Sequence, residues 1–146
     1  MPRYGADGNG FLPAPSMWQS YLAVMAGGAL GSAARMGISF AVTARWGESF
    51  PVGTLAVNAA GCLAIGIFAG LTGPDSPLAA PPLLRQFVTI GVLGGFTTFS
   101  SFSMQTLELA TRGEWLQAGL YVVLSVVLCL LLTWAGIILS LSLLPR

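Results

Sequence analysis

Four stretches of the sequence are long and almost free of charge, and they restrict the chain to a membrane-spanning architecture. About 20 helical residues cross the hydrocarbon layer of a bilayer. Three uncharged stretches cover residues 49–73, 86–107 and 115–145, and a fourth, residues 17–44, contains one charge, Arg35. Only 8% of the residues are charged, against about 25% in soluble domains. We therefore predict an all-α integral membrane protein with four transmembrane helices.

The segments outside these stretches are rich in proline and glycine. Residues 1–16 contain three prolines and three glycines, a composition that buries too little apolar surface to order itself. We predict a disordered N-terminal tail over 1–16 and a single four-helix transmembrane domain over 17–146. Prolines at 74, 77, 81 and 82 separate the second stretch from the third, because proline cannot continue a helix.

Basic residues are almost equally divided between the two sides of the predicted helices. An excess of Lys and Arg in short loops fixes the orientation of a membrane protein. The terminal side carries Arg3, Arg85 and Arg146, and the other side carries Arg45 and Arg112, with Arg35 buried nearer to it. The balance predicts weakly specified or dual insertion and makes an antiparallel homodimer plausible. The alternative is a single orientation, set by basic residues that are too few for their count to reveal it.

Several classes of function do not fit the composition. A net charge of +1 gives no reason to expect a nucleic-acid partner. The chain has no His, and its two cysteines, Cys62 and Cys129, lie inside apolar stretches without metal-ligand spacing. No nucleophile is accompanied by a base and an orienting group. We expect neither an enzyme, nor a zinc site, nor a disulfide framework.

The third stretch has a polar centre, Gly94–Ser103, that is unusual for a membrane helix. Adjacent glycines weaken helical order, and Ser and Thr side chains can take over the hydrogen bonds of an interrupted turn. We predict a helix break between Gly94 and Thr98. The freed carbonyls could hold a buried monovalent cation, whereas the alternative is a Gly-Ser-Thr packing seam between helices.

Two phenylalanines interleave with these hydroxyl residues. Phe99 and Phe102 are three positions apart and so lie on one helix face. The edges of aromatic rings carry partial positive charge, and they could accept a small anion in a narrow passage while hydroxyls supply donors. Ordinary core packing of the two rings is the alternative.

Polar residues also recur every four positions in the second and fourth stretches. Thr54 and Asn58 share one face of the second, among small residues, and the Asn58 amide could bind an anion. The fourth stretch carries a polar stripe that could line a track: Tyr121, Ser125, Cys129 and Thr133. Hydrogen bonding between helices, or back to the preceding turn, is the alternative.

Arg35 is the one charge inside a predicted span. A charged residue at the bilayer centre costs about 2.5–3.5 kcal/mol on insertion scales, although snorkelling lowers this. We place Arg35 beside an aqueous vestibule, where it attracts anions, with an interfacial anchor as the alternative. No acidic residue lies in the middle of a span, whereas a proton-coupled cation exporter normally needs one.

Three sequence blocks together resemble those of the Fluc (CrcB) fluoride channels over residues 20–143. The blocks are G-G-A-L-G-S-A-A-R at 27–35, G-T-L-A-V-N at 53–58 and G-G-F-T-T-F-S-S-F-S at 94–103, and the third is highly specific. The resemblance implies a dual-topology antiparallel homodimer in a bacterial-type inner membrane. Such a dimer exports fluoride passively through two pores and holds a structural sodium ion at its centre.

The resemblance also implies roles for single residues. Gly94 and Thr97 resemble the carbonyl ligands of the sodium ion. The residues that resemble the fluoride pore are Thr54, Asn58, Phe99, Phe102, Tyr121 and Ser125. Two positions depart from the family pattern: Cys129 stands where a hydroxyl residue is usual, and Gln105 stands where many members have Glu. We group Gln105 with Arg35 at the vestibule, where the change from Glu to Gln could alter the transfer of the anion.

Two other functions stay open at this point. One is a small four-span, proton-coupled exporter of cationic compounds, which would require the missing intramembrane acid. The other is a non-transporting membrane assembly subunit, in which the polar residues serve packing alone.

Overall fold

The computed structural model describes residues 15–73, 76 and 78–143, and over these residues the protein is helical. Four long helical segments follow one another along the chain, and the third is built from several pieces. In order, the elements are α1 (Met17–Trp46), α2 (Val52–Thr72), α3 (Pro82–Arg85), a π-helical segment (Gln86–Leu93), α4 (Gly94–Phe96), α5 (Phe99–Thr111) and α6 (Trp115–Leu143). The all-helical fold class is as predicted.

Three of the four segments are long and apolar enough to cross a bilayer. Within the described residues these are Val52–Thr72, Pro82–Thr111 and Trp115–Leu143. The chain is therefore a multi-pass membrane protein. The α1 helix, with 30 residues, is also long enough, but it is not among the three helices that are both long and apolar enough.

The helix ends follow from local chemistry. Ser16 caps α1, because its side chain accepts from the Gln19 N–H while the Gln19 side chain accepts from the Ser16 N–H. At the other end Gly47, with a φ of 82°, donates its N–H to the Thr43 carbonyl at 2.8 Å. The predicted disordered tail lies outside the described residues up to position 14, as do residues 144–146 at the end of the predicted transmembrane domain.

Proline sets the start of two helices relative to the uncharged stretches. The second stretch begins at residue 49, but its helix begins at Val52, because Pro51 occupies the N-terminal cap. The third stretch begins at Gln86, but its helical segment begins four residues earlier, at Pro82. Proline is favoured at the first helical position, where its missing N–H costs nothing.

The helices pack in two pairs that both depend on small residues. The α2 helix makes its largest contact with α6, and α1 makes its largest contact with the π-helical segment. A Cβ atom on Gly27 of α1 would lie 2.6 Å from the Phe87 carbonyl oxygen and 2.9 Å from the Gly91 Cα. Glycine therefore allows the two backbones to touch, as is typical of helices packed in membranes.

The third segment is irregular in two places. Over the π-helical segment the hydrogen bonds reach five residues back, as in the Gly94 N–H that donates to the Thr89 carbonyl. The helix then stops after Phe96 and resumes at Phe99, with Thr97 and Thr98 extended at ψ values of 154° and 114°. The predicted break between Gly94 and Thr98 is confirmed.

The close approach of α1 and the π-helical segment can be tested by adding one methyl group. Gly27→Ala should destabilise the protein, because overpacking costs about 1–3 kcal/mol. Gly37→Ala, in the same helix, is the matched control, since its Cβ meets nothing within 4 Å. Thermal unfolding in detergent should show a lower Tm for Gly27→Ala alone. Equal Tm values for the two variants would contradict the packing described.

Candidate functional site

The break in the third segment is held open by one side chain of α2. The Asn58 Nδ2 donates to the Thr98 carbonyl at 3.1 Å, and its Oδ1 accepts from the Thr98 N–H at 2.8 Å. Since a backbone N–H can only donate, the orientation of the Asn58 amide is fixed. The side chain thus satisfies both backbone groups of Thr98, which no helical turn satisfies.

The same rearrangement releases two backbone carbonyls. In an unbroken helix the N–H groups of Thr98 and Ser101 would donate to the carbonyls of Gly94 and Thr97. Here the Thr98 N–H donates to Asn58, and the Ser101 N–H donates to the Thr98 hydroxyl at 3.2 Å. The Gly94 and Thr97 carbonyls thereby lose their helical donors, and they are the two oxygens that the sequence resemblance implies as sodium ligands.

Most hydroxyl groups around the break are committed to local hydrogen bonds. Thr98 caps α5 and lies 3.1 Å from both the Ser100 and the Ser101 hydroxyl oxygens. Ser103 and Thr106 donate to carbonyls of the preceding turn, those of Phe99 and Phe102. The hydroxyls of α5 therefore stabilise the restarted helix more than they offer donors to a ligand.

A cavity of about 430 Å³ lies between the broken segment and the paired helices α2 and α6. Its lining combines apolar surface with a few polar groups. The lining residues that bear on function are Asn58, Cys62, Gly94, Thr97, Thr98, Phe99, Phe102, Ser125 and Cys129. Six of the ten residues predicted from the sequence as sites therefore share one cavity.

Two donors in this cavity are uncommitted. An amide nitrogen carries two N–H groups, and Asn58 uses one of them on the Thr98 carbonyl. Within the described part of the chain, the buried Ser125 hydroxyl has no hydrogen-bond partner at all. Buried polar groups are normally paired, so an unpaired hydroxyl on a residue that lines a cavity indicates a place where a ligand could form a hydrogen bond.

A row of aromatic rings adjoins the cavity. The ring centroids of Phe99 and Phe102 are 5.2 Å apart with planes inclined at 47°, and Phe102 lies 5.2 Å from Tyr121 in turn. Phe50 meets Tyr121 edge to face at 5.5 Å. Phe102 is 8% exposed whereas Phe99 is 76% exposed, so one ring is anchored in the core and the other lies on the surface of this chain.

Tyr121 is fully buried between this cavity and a second, more polar one, and it lines neither of the two. Its hydroxyl donates to the Gln105 Oε1 at 3.0 Å, and the Thr54 side chain lies beside it. Gln105 lines a cavity of about 280 Å³ together with Glu48, Glu108 and Arg112. The half-buried Arg35 lines neither of these two cavities, so the structure does not bring it together with Gln105.

One residue of this site, Cys62, is not among those predicted from the sequence. Cys62 follows Asn58 by four positions, so the spacing that joined Thr54 to Asn58 places it on the same face of α2. It lines the cavity together with Cys129 of α6, and the two thiols are neighbours. The two cysteines belong to separate apolar stretches of the sequence, so their spacing along the chain does not predict that they meet.

Comparison with known proteins identifies relatives along most of the chain. A family described as "CrcB-like protein, Camphor Resistance (CrcB)" matches residues 22–137. A "Fluoride-specific ion channel FluC" from Rhodospirillum rubrum is 54% identical over 80% of this chain and 91% of the relative. The proteins of the same description from Opitutus terrae and Azotobacter vinelandii are 53% and 49% identical, over 80% and 82% of this chain and 88% and 94% of theirs.

The role of Asn58 as a clamp on the broken segment can be tested without measuring transport. Asn58→Leu removes both bonds to Thr98 with little change of volume and leaves two buried backbone groups unpaired, at about 1–3 kcal/mol each. Amide hydrogen exchange across residues 97–101 should become faster. Thr89→Val is the matched control, because Thr89 lines the same cavity but bonds only to its own helix. Unchanged exchange in Asn58→Leu would refute the clamp.

Proposed function

We propose, since this chain belongs to the CrcB family, that it is a fluoride-selective channel through which cytoplasmic fluoride leaves the cell passively. The observation that supports this function best is the pair of spare donors in the cavity, the second Asn58 N–H and the Ser125 hydroxyl. Both can donate to an anion, and neither carries a charge that would trap it. The named relatives are fluoride channels.

The donors replace the water that fluoride must shed. Fluoride is small and strongly hydrated, so a selective path is narrow and dry and supplies donors in place of the hydration shell. Phe99 and Phe102 line the cavity, and the edges of aromatic rings carry partial positive charge that a small anion can approach. A larger halide such as chloride is rejected because the same donors cannot close around it. Thr54 and Gln105 hold the Tyr121 hydroxyl at the end of this path.

A second copy of the chain completes the passage. The Phe99 ring is 76% exposed beside a cavity that is open on one side, so the path of one copy lacks a wall. An antiparallel partner related by a two-fold axis would supply that wall and would create two equivalent pores. The near-equal division of arginines between the two sides supports insertion in both orientations.

The released carbonyls suit a structural sodium ion. Gly94 and Thr97 offer neutral oxygens next to the C-terminal end of α4, the kind of ligand that unwound membrane helices use for sodium. A two-fold axis near the break would double the set to four carbonyls. The ion would hold the two broken segments together and would take no part in conduction.

The α1 helix forms the fourth span in this proposal, in a bacterial-type inner membrane. Its 30 residues extend about 45 Å. Large apolar side chains are exposed along its whole length, at Trp18, Leu22, Leu30, Met36 and Phe40, and an apolar surface of this extent requires lipid or a partner. Arg35 lies at an aqueous vestibule of the assembled dimer, and Gln105 lies at the polar cavity where anions leave or enter.

A proton-coupled exporter of cations is the weaker alternative. Its defining feature, a carboxylate in the middle of a span, is missing from the sequence, and Glu108 lies in the polar cavity beside Arg112. A proton gradient should therefore change the rate of fluoride efflux only through its effect on the membrane potential.

The pore assignment is tested by fluoride efflux from liposomes, measured with an ion-selective electrode and compared with chloride. Phe99→Ile removes a ring edge, and Asn58→Asp replaces a donor by a repelling charge. Both variants should therefore abolish fluoride efflux without unfolding the dimer. Phe40→Ile is the matched control, since Phe40 is 77% exposed but lies outside the cavity. Wild-type efflux in Phe99→Ile would contradict the assignment.

Dual insertion is tested by labelling one loop in intact cells. Ala79→Cys, combined with Cys62→Ser and Cys129→Ser, places a lone thiol in the exposed loop before α3. A membrane-impermeant maleimide should label about half of the protein, and all of it after permeabilisation. Adding Leu78→Lys and Ala80→Lys should move the loop inside and abolish labelling in intact cells. Complete or absent labelling of the uncharged variant would exclude dual insertion.

A further inference from the structure

The α2 and α6 helices are matched residue by residue along their contact. Thr54 lies beside Tyr121, Cys62 lies beside Cys129, and a Cβ atom on Gly66 would run into the Thr133 backbone. The three pairs have the same offset along the chain. The helices therefore run parallel in a constant register, and the pairing of the two cysteines is part of that register.

The two thiols are chemically available. Cys62 and Cys129 are free and half-buried, and both line the cavity that also contains Ser125. The chain has two cysteines in all, so every thiol of the protein is in this pair. One turn further along, the backbones of the two helices approach so closely that a Cβ atom on Gly66 would overlap the Thr133 carbonyl oxygen.

We propose that Cys62 and Cys129 together bind one soft, thiophilic metal ion of the kind that accepts two sulfur ligands, such as Hg²⁺. Soft thiolate ligands select soft ions, and the thiolate is the form that binds. Two thiols release two protons to the solvent as they bind a divalent ion, and the bis-thiolate complex is neutral. A neutral complex suits this apolar cavity, where a net charge would be costly.

The bound ion obstructs the cavity. Cys129 lies one helical turn from Ser125 in α6, so an ion between the two sulfurs occupies space next to the unpaired hydroxyl. Binding depends only on the thiol pair, whereas the obstruction of fluoride rests on the proposed function. The two parts have separate readouts.

Binding is tested on the purified full chain in lipid, with Hg²⁺ as the probe. The short-wavelength ultraviolet charge-transfer absorbance of the sulfur–mercury bond, read as a difference from the metal-free protein, and native mass spectrometry should show one ion per chain. Cys62→Ser and Cys129→Ser each leave one thiol, and the double variant serves as the blank. A competing monothiol should remove Hg²⁺ from each single variant at a concentration about a hundredfold lower than from the wild type, because the second thiol acts at a high effective concentration.

Three results would overturn the proposal of a shared site. These are two ions per wild-type chain, equal resistance of the single variants and the wild type to the monothiol, or no mercury–sulfur absorbance in the wild type. The Thr133→Val variant keeps both thiols in the same helix pair and should behave as the wild type does in the binding assay. Loss of its binding would also count against the thiol pair.

Obstruction is tested by fluoride efflux before and after Hg²⁺, with each variant compared with its own untreated rate. Hg²⁺ should stop efflux in the wild type and leave the double variant unchanged. Bound Hg²⁺ with undiminished efflux would overturn the obstruction. If untreated liposomes of the wild type show no fluoride efflux, the proposed function fails while the binding result stands.

Discussion

The paired hydrogen bonds between Asn58 and Thr98 are the interaction on which the candidate site depends. A helix that stops in an apolar environment leaves backbone groups unpaired, at several kcal/mol each in lipid. A single amide side chain accepts from and donates to the same residue, so it satisfies both groups at once. The break is therefore a stable feature of the fold, and it joins α2 to the third segment at the point where the cavity opens.

Constant register between α2 and α6 gives the cavity its chemistry. Parallel helices whose contacts repeat every four residues bring matching positions together, so polar residues at this spacing form one shared wall. Small residues at Gly66 and Gly136 allow the backbones to approach. Along this wall Tyr121 is tied to Gln105, whereas Ser125 stays unpaired. A hydroxyl that bonds neither to the neighbouring helix nor to its own preceding turn argues against a purely structural stripe.

Much of this arrangement could be predicted from the sequence, because hydropathy and helix breakers act locally. The four helical segments, the break between Gly94 and Thr98, and the closeness of Phe99 and Phe102 all follow from spacing and composition. The π-helical turn could not be predicted from spacing and composition, and neither could the close contact of this segment with Gly27 and Gly31 of α1. Nor could the exposure of Phe99 or the contact of Cys62 with Cys129, because both depend on how separate helices dock.

The π-helical segment sets the rotation of everything that follows it in the chain. A π-helical turn holds one more residue than an α-helical turn, so closing it into a regular helix would turn the downstream residues by about 100° about the axis. The Thr98 backbone would then point away from α2, and both phenylalanines would leave the cavity. The orientation of the downstream helix thus depends on this turn, and a substitution that closed it while keeping all eight residues of Gln86–Leu93 would be felt a dozen residues away.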